Sequence, residues 1–469
     1  MIVAELSANH GHRLDIALES VRAAAKAGAD AIKIQTYTAD TITLDCSAPD
    51  FIVTGGTLWD GRTLHNLYEE AYTPWEWHEA IFAEARKAGI TCFSTPFDKT
   101  AVDFLETLGN PIYKIASFEI TDIPLISYAA SKGKPMVIST GIATLEDIEL
   151  AVNACLQAGN TDITLLKCTS AYPAPISAAN LLTMKDMEQR FGPKFSQKIK
   201  TGSSNNILRE FPGVKTGLSD HTTGSEVALT AAALGATMVE KHFILDRSIG
   251  GPDAAFSMEI PDLARLVTRL RSLDSLTENP LPENPRCPQQ NAEGNPENTR
   301  SPQQSAEGKP ENTRCPQQNA EGNHQNTRSP QQSAEGNHQN TRCPQQNAEG
   351  NPENTRSPQQ NAEGKQENGV TLSTLLRATE PSELKEYICE EALGTVSYPT
   401  DPATIPGRQF CRSLYVAEDM KAGDTITEQN VRSVRPGYGL SPRYLPDILG
   451  KQVSHDLPKG TRFSLDLLA

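Results

Sequence analysis

The chain has 469 residues, enough for two or three domains, but only 37% of them are apolar, so some segment is predicted to lack a core. Its formal net charge of −15 argues against nonspecific binding to nucleic acid or to anionic membranes, and no apolar run reaches the roughly 20 residues of a membrane span. Nine cysteines without a CxxC pair, and a start without the basic and apolar regions of a secretory signal, predict a soluble cytoplasmic protein.

Short apolar runs alternate with amphipathic segments through residues 1–275. The runs are IVAEL, AIKIQT, TCFSTP, YKIAS, MVIST, ITLLKC, KTGLSD and ATMVEKHF, and segments such as TLEDIELAVNACLQAGN have the apolar period of helices. Eight such alternations predict an α/β fold, a (β/α)8 TIM barrel. A doubly wound open sheet is the alternative, but no GxGxxG follows the first strand.

Nearly every predicted strand ends in a polar or ionisable residue. In a (β/α)8 barrel the catalytic residues lie at this end of the strands, so we expect these side chains to share one site. They are Glu5, Lys33, Gln35, Thr95, Lys114, Ser117, Glu119, Ser139, Ser170, Tyr172, Ser219, Asp220, His221 and His242.

His221 and His242 end the seventh and eighth predicted strands, which are neighbours in such a barrel. A lone histidine at a strand end is usually a core residue. Two adjacent imidazoles, flanked by Asp220 and followed by Asp253, can share a divalent ion, and Mn²⁺, Co²⁺, Zn²⁺ or Mg²⁺ would all fit. Lys241 is predicted to point to the opposite side of its strand and to be structural.

Lys33 and Lys114 are predicted to reach the same end of the barrel beside several hydroxyl groups. Cations with hydroxyls and loop amides can cradle a phosphate or a carboxylate. A Schiff-base lysine is the alternative interpretation. Glu5 and Glu119 are candidates for acid–base catalysis. With a metal ion, this set suggests carbon–carbon bond formation between a phosphorylated enol and a carbonyl compound.

Residues 285–368 repeat six times with a period of 14, as in TRCPQQNAEGNPEN. The repeats contain no Leu, Ile, Val, Phe, Met, Tyr or Trp, so residues 276–370 are predicted to be a long disordered tether. A metal-binding or adhesive array built on its spaced cysteines is the alternative. We expect a connecting helix and loop over 371–409 and a small second domain over 410–469.

The motifs together resemble the sialic acid synthase family. In the first domain the similarity rests on AELSANH, KIQTYT, STPFD, YKIASFEITD, ISTG, KCTSAYP, GLSDHT, EKHF and GGPDAAFS. YTPWEWHEA and RPGYG resemble motifs of its pseudaminic acid branch. The segment RSLYVAEDMKAGDTITEQNVRSVRPGYGL resembles the β-rich antifreeze-like (SAF, β-clip) domain of these enzymes.

The resemblance implies condensation of phosphoenolpyruvate with an N-acylated amino sugar, giving a nine-carbon 2-keto acid and phosphate. It implies a divalent metal ion on His221 and His242, with Mn²⁺ expected and Mg²⁺ or Co²⁺ as alternatives. Glu119 is the first choice for proton transfer and Glu5 the second. Phosphoenolpyruvate would contact Lys33, Thr95, Lys114, Ser117, Ser139, Ser170, Ser219 and His221. The sugar would contact Gln35, Glu119, Tyr172, Asp253 and Arg435.

The resemblance further implies a homodimer that exchanges SAF domains, so that Arg435 of one subunit reaches the sugar bound in the other. A tether of about 100 flexible residues spans roughly 50 to 60 Å, so docking on the same chain is also within reach. The alternatives are an N-acetylneuraminic or legionaminic acid synthase, a Schiff-base aldolase, or a non-catalytic repeat-bearing binding protein.

Overall fold

Eight parallel strands close into a barrel in the computed structural model, which describes residues 1–54, 61–195, 211–278 and 382–469. Each strand pairs with the next, and the last pairs with the first, so the predicted (β/α)8 barrel is confirmed. The strands are β1 Ile2–Glu5, β2 Ala31–Thr36, β3 Thr91–Pro96, β4 Tyr113–Ile115, β5 Met136–Ser139, β6 Ile163–Cys168, β7 Lys215–Asp220 and β8 Val239–His242.

Amphipathic helices follow the strands and cover the barrel. The first shows why they form: its buried residues Ala17, Val21 and Ala24 share one face, and Gly28 ends it with a left-handed φ of 88°. The helices are α1 Leu14–Ala27, α2 Ala39–Ile42, α3 Leu64–Ala71, α4 His78–Ala88, α5 Lys99–Thr107, α6 Ile123–Ala130, α7 Leu145–Gln157, α8 Leu182–Arg190, α9 Glu226–Ala233 and α10 Ile260–Glu278. None of the helices in the described ranges combines the length and apolar content of a membrane span.

The alternation of side chains along each strand separates an apolar layer from a polar one inside the barrel. An apolar cluster includes Val3 on β1 and Ala31 on β2, and the next residues of the same parity are Glu5 and Lys33. The barrel is therefore plugged by apolar groups toward the N-terminal ends of its strands and polar toward the C-terminal ends. The cluster consists of Val3, Ala31, Phe93, Ile112, Val137, Leu166 and Met238.

Lys241 has the opposite parity and is structural, as predicted. Its Nζ donates to Asp220 Oδ2 at 2.8 Å, to the Thr222 carbonyl at 2.7 Å and to the Gly224 carbonyl at 3.0 Å. Asp220 therefore forms an ion pair with Lys241 on the outer face of the strands. The expectation that it flanks the two histidines is wrong, because strand alternation turns it away from them.

The C-terminal domain is small and rich in β-structure. Strands β9 Ser413–Val416 and β10 Val431–Val434 form an antiparallel pair, isolated β-bridges extend it, and α12 Leu445–Ile448 covers one side. Its core includes Leu414, Val431 and Phe463. The domain and the barrel belong to one compact unit.

A connecting helix was expected between tether and C-terminal domain. The described residues there form a 3₁₀ turn, Ser382–Tyr387, and the short helix α11 Glu390–Leu393, which precedes α12 in the chain. The Leu181 amide donates to the Ala392 carbonyl at 3.0 Å, so this connection is attached to the barrel. Residues 276–278, predicted as the start of the tether, continue helix α10, and the rest of the predicted tether, with its repeats over 285–368, lies outside the described residues.

Candidate active site

A cavity of about 330 Å³ lies at the C-terminal ends of the barrel strands and is closed on one side by the C-terminal domain. Most of the residues that the sequence predicted for the site line this cavity. Thr95, Ser170 and Glu119 instead lie behind its wall, where they contact residues that do line it. The predicted lining residues are Glu5, Lys33, Gln35, Lys114, Ser117, Ser139, Tyr172, Ser219, His221, His242, Asp253 and Arg435.

Two lysines and two carboxylates form a buried network at the base of the cavity. Lys33 Nζ pairs with Glu5 and donates to Thr95 Oγ1 at 3.2 Å. Lys114 Nζ donates to both carboxylate oxygens of Glu240, at 2.8 and 3.0 Å. Lys33 Nζ lies 3.8 Å from the nearer of these oxygens, so Glu240 is a counter-ion for both lysines.

Burial and the neighbouring charges shift the pKa values of the two carboxylates in opposite directions. Burial acts to raise the pKa of Glu240, but Lys114 and Lys33 outweigh it and hold that pKa at about 2. Burial raises the pKa of Glu5, even though Lys33 opposes it. Glu240 is therefore a fixed anion, whereas Glu5 can hold a proton closer to neutral pH.

Glu240 was missed by the sequence analysis, although the signal was present. It stands two residues before His242 on β8, so strand alternation directs both side chains into the barrel. Ser219 Oγ donates to Glu240 Oε1 at 3.2 Å, which fixes the carboxylate against β7 as well. The prediction took the residues at the strand ends and therefore left out Glu240, which also faces inward.

Hydroxyl groups surround the backbone at Gly141, just after β5. The Gly141 amide donates to Ser117 Oγ at 3.1 Å. A β-carbon at this position would lie 2.8 Å from Ser117 Oγ, 3.1 Å from Cys168 Sγ and closer still to Ser170 Oγ. Ser139 Oγ is buried and has no hydrogen-bond partner within the described residues. This cradle of small polar groups can hold an anion, as the sequence predicted for its serines.

His221 and His242 lie next to each other, with ring centroids 5.2 Å apart and an interplanar angle of 62°. His221 Nδ1 is 2.9 Å from the Thr169 carbonyl, which fixes the ring and leaves Nε2 for a ligand. His242 Nδ1 is buried without a hydrogen-bond partner in the described chain, and it lies 3.6 Å from Asp253. Burial, His221 and the nearby lysines hold the pKa of His242 well below its usual value, so the imidazole is neutral.

His242 fits a divalent ion by its chemistry, because a neutral imidazole is a metal ligand. Burial acts to lower the pKa of His221, but the Cys168 thiol beside it raises that pKa, so His221 would give up a proton on binding the ion. In the part of the chain that the structure describes, however, no group of three or more His, Cys, Asp or Glu side chains is arranged around a common metal position. An ion here would therefore take many of its ligands from substrate oxygens or water.

Cys168 is a second lining residue that the sequence analysis did not single out. Its Sγ lies 3.8 Å from His221 Nδ1 on the neighbouring strand. Burial acts to raise the pKa of this thiol, but His221 lowers it to about 7. Cys168 lies in the KCTSAYP motif, and its inward parity on β6 was the available signal.

The opposite side of the cavity carries groups suited to a polyhydroxylated ligand. Gln35 Nε2 donates to Glu5 Oε1 and to Ser7 Oγ, both at 3.0 Å. The GGPD turn brings Asp253 back beside His242, with left-handed φ values of 77° at Gly250 and 107° at Gly251.

The C-terminal domain completes the cavity with Arg435. Its Nε and Nη2 donate to Glu119 Oε1 at 3.0 and 2.7 Å, Nη2 also donates to Oε2 at 2.9 Å, and Nη1 donates to Tyr68 Oη at 3.2 Å. The guanidinium lies 5.0 Å from the Phe118 ring. Because Glu119 lies behind the cavity wall, with both its oxygens bound to Arg435, this carboxylate is poorly placed for the proton transfer that was its first predicted role.

Comparison with known proteins places the chain in a family. The NeuB family model matches residues 20–198 and 198–280, and the SAF domain model matches 412–469. Pseudaminic acid synthase of Helicobacter pylori is 34% identical over 466 residues, which cover 99% of this chain and 96% of that protein. The N,N'-diacetyllegionaminic acid synthase of Campylobacter jejuni is 34% identical over 295 residues, 62% of this chain and 81% of that protein.

A solved structure agrees on the fold. The crystal structure of the spore coat polysaccharide biosynthesis protein SpsE from Bacillus subtilis matches with a TM-score of 0.63 at 22% identity, covering 100% of this chain and 95% of that chain. Both the family model and the full-length similarity agree with the motifs in the sequence. The chain therefore belongs to the NeuB family and carries a C-terminal SAF domain.

Proposed function

We propose that the protein is a pseudaminic acid synthase, which condenses phosphoenolpyruvate with 2,4-diacetamido-2,4,6-trideoxy-L-altrose and water to give pseudaminic acid and phosphate. One observation carries the choice within the family: the similarity to the Helicobacter pylori pseudaminic acid synthase extends over 99% of the chain. The similarity to the legionaminic acid synthase covers 62% of it, and synthesis of legionaminic or N-acetylneuraminic acid is the alternative.

Phosphoenolpyruvate would bind at the base of the cavity. Its phosphate and carboxylate carry negative charge, and the ammonium groups of Lys33 and Lys114 are the cations that face the base. The unpartnered hydroxyl of Ser139 and the cradle around Gly141 would donate hydrogen bonds to the same anion. The proposed contacts are Lys33, Thr95, Lys114, Ser117, Ser139, Ser170, Ser219 and His221.

The amino sugar would occupy the outer part of the cavity, against Gln35, Tyr172, Asp253 and Arg435. Tyr172 is well exposed, and its ring lies 4.4 Å from that of His221, so it offers an apolar face beside the reacting end. Arg435 is a donor that can reach an N-acyl oxygen. Glu119 would act here through Arg435, because it lies behind the cavity wall.

A divalent ion, Mn²⁺ with Mg²⁺ or Co²⁺ as alternatives, would be held by His221 and His242 and would supply Lewis-acid polarisation of the sugar aldehyde. The neutral state of His242 and its unpartnered Nδ1 support this assignment.

The chain's own residues would carry out the remaining chemistry. With the two substrates aligned, C3 of phosphoenolpyruvate forms a bond to the aldehyde carbon, and water adds at C2 and gives up one proton, which restores Glu5. The C2–O bond to phosphate then breaks as the C2 hydroxyl becomes the ketone, and the hydroxyl proton leaves with the phosphate. Glu5 lines the cavity and has a raised pKa because of burial, so we assign it the proton that the aldehyde oxygen gains. Lys33 and Lys114 stabilise the departing phosphate.

The subunit arrangement that the family resemblance implies, a homodimer with exchanged SAF domains, remains part of this proposal. In the chain described here, Arg435 contacts Glu119 of its own barrel. The same contacts would form between two subunits if the domain were exchanged. We also propose that the reaction takes place in the cytoplasm, without nucleic acid or membrane partners.

Phosphate release from phosphoenolpyruvate tests the function directly. The purified full chain is incubated with a panel of N-acylated hexoses, with added Mn²⁺ or with a chelator. We expect release with 2,4-diacetamido-2,4,6-trideoxy-L-altrose and its loss with chelator. Preference for another sugar would replace the pseudaminic acid assignment, and no release with any sugar would overturn the enzymatic one.

A further inference from the structure

Arg412 and Arg435 flank one end of the antiparallel pair β9–β10 in the SAF domain. Val434 of β10 pairs with Ser413 of β9 in an antiparallel register. Continuing that register by one residue places Arg435 opposite Arg412. Like charges directly opposite each other on paired strands are destabilising, so this arrangement requires a counter-ion.

Glu119 of the barrel supplies the counter-ion for both guanidinium groups. Its Oε1 lies 2.7 Å from Arg435 Nη2 and 3.6 Å from Arg412 Nε. All three side chains are buried, with exposed fractions of 7% for Arg435, 2% for Arg412 and 0% for Glu119. A buried charge is costly unless it is paired, so one carboxylate from the barrel neutralises part of the charge of two SAF arginines.

The remaining contacts of Arg412 join the two domains. Its Nη1 donates at 2.6 Å to the carbonyl of Ser433, a β10 residue two positions before Arg435, and its Nη2 donates to the Thr41 carbonyl of the barrel at 3.2 Å. Arg412 Nε has no hydrogen-bond partner among the described residues, so Glu119 is held to it by charge alone.

The backbone of Arg435 is attached to the same barrel segment. Its amide donates to the Ile42 carbonyl at 2.9 Å, and Thr43 Oγ1 donates to its carbonyl at 2.7 Å. Residues 41–43 therefore hold both arginines, one by its side chain and the other by its main chain. Arg435 lines the cavity, whereas Arg412 lies behind it.

We propose that Arg412 is a positioning residue for the sugar-binding end of the cavity. By sharing the Glu119 carboxylate and fixing the Ser433 carbonyl, it keeps the guanidinium of Arg435 at the cavity wall. This inference rests on the proposed function, since Arg435 is the group assigned to the sugar. A purely structural ion pair would instead affect the SAF domain without distinguishing between the two substrates.

The test compares Arg412→Met and the conservative Arg412→Lys with wild type, in the full chain. Arg443→Met is the matched control. Arg443 also links the SAF domain to the barrel, because its Nη1 lies 3.5 Å from Glu146 Oε1, but this ion pair is exposed. We expect Arg412→Met to raise the KM for the amino sugar and lower kcat, with kcat/KM falling between about tenfold and a hundredfold. The Kd for phosphoenolpyruvate without sugar should stay unchanged, and Arg443→Met should behave as wild type.

A double-mutant cycle with Arg435→Met separates positioning from loss of folding. If Arg412 acts through Arg435, Arg412→Met has little further effect in the Arg435→Met background. Hydrogen exchange of residues 431–437, which does not require turnover, should increase in Arg412→Met and less in Arg412→Lys. Additive losses in the cycle, an equal loss of phosphoenolpyruvate affinity, or unchanged exchange would each overturn the proposal. Failure of the proposed function would show differently, as absence of phosphate release in the wild-type protein.

Discussion

Glu240 Oε1 on β8 lies 2.8 Å from Nζ of Lys114 on β4, which is the strand opposite β8 in the closed barrel. The same oxygen is 3.8 Å from Nζ of Lys33. One buried carboxylate thus joins two cations across the interior. Because it lies beneath the proposed phosphate site and its pKa is about 2, it stays charged at all physiological pH values.

Glu240→Gln is expected to weaken phosphoenolpyruvate binding by at least about tenfold, or about 1.4 kcal/mol. A buried lysine that loses its counter-ion also loses its proton more readily, and burial already lowers the pKa of Lys114. Calorimetric titration of the full chain with phosphoenolpyruvate, without sugar, measures the change.

Asp220→Asn is the matched control for this prediction, since Asp220 and Lys241 form a buried pair on the outer face of the strands. Breaking that pair should cost about 3–5 kcal/mol of stability and leave the phosphoenolpyruvate Kd unchanged. Tighter binding by Glu240→Gln would contradict our interpretation and would indicate that Glu240 competes with the substrate for the lysines.

Gly141→Ala is expected to lower kcat/KM for phosphoenolpyruvate by about a hundredfold. The new methyl group would lie 2.8 Å from Ser117 Oγ and even closer to Ser170 Oγ, so the anion cradle would have to open. Steady-state phosphate release at varied phosphoenolpyruvate gives the ratio.

Gly133→Ala provides the comparison for the glycine prediction. Gly133 has a left-handed φ of 72°, and a methyl group there would meet nothing within 4 Å. Its substitution should cost about 1–2 kcal/mol through backbone strain and leave the kinetics intact. Wild-type kinetics in Gly141→Ala would show that the cradle is not part of the substrate site.

His221→Ala and His242→Ala should each abolish metal-dependent turnover while the protein stays folded. The two rings are neighbours in an edge-to-face arrangement, and each has a nitrogen available for a ligand. Electron paramagnetic resonance of added Mn²⁺ reports binding independently of activity, and circular dichroism reports the fold. His455→Ala, in the SAF domain, is the control. Full activity or unchanged Mn²⁺ binding in His242→Ala would refute the metal assignment.

The sequence was most informative where a short-range pattern determines the structure. Eight apolar runs predicted eight strands, and strand alternation placed Lys241 on the outer face. Choosing site residues by their position at strand ends, without asking which side of the strand they face, wrongly included Asp220 and omitted Glu240. Arg412 could not be predicted, because its role depends on a carboxylate contributed by a distant part of the chain. The tether beyond residue 278 lies outside the described residues up to its predicted end at 370 and stays a prediction.

Stability should fall as the pH drops from about 6.5 to about 4. Burial lowers the pKa of His10 and of His78 to about 4 in the folded protein, whereas an unfolded histidine titrates near about 6.5. Between these values the unfolded chain binds more protons, so protonation favours unfolding. Thermal midpoints at pH 7 and pH 5 measure the effect. The double variant His10→Gln/His78→Gln should show a smaller difference between the two midpoints than wild type. The control His455→Gln should show the same difference as wild type. If the difference in the double variant is as large as in wild type, the assignment is contradicted.

Mixing two strongly impaired variants tests whether SAF domains are exchanged between subunits. Lys114→Ala removes a barrel residue, Arg435→Ala removes the SAF residue, and each should lose most of its activity alone because both groups face one cavity. In an exchanged dimer, a mixed pair combines an intact barrel from one chain with an intact SAF domain from the other. Co-expression in equal amounts makes half of the dimers mixed with one functional cavity in two, so about a quarter of wild-type activity should return. If each domain stays on its own barrel, every cavity keeps one defect. The mixture would then remain strongly impaired, and the intrachain contact between Arg435 and Glu119 would be the functional one.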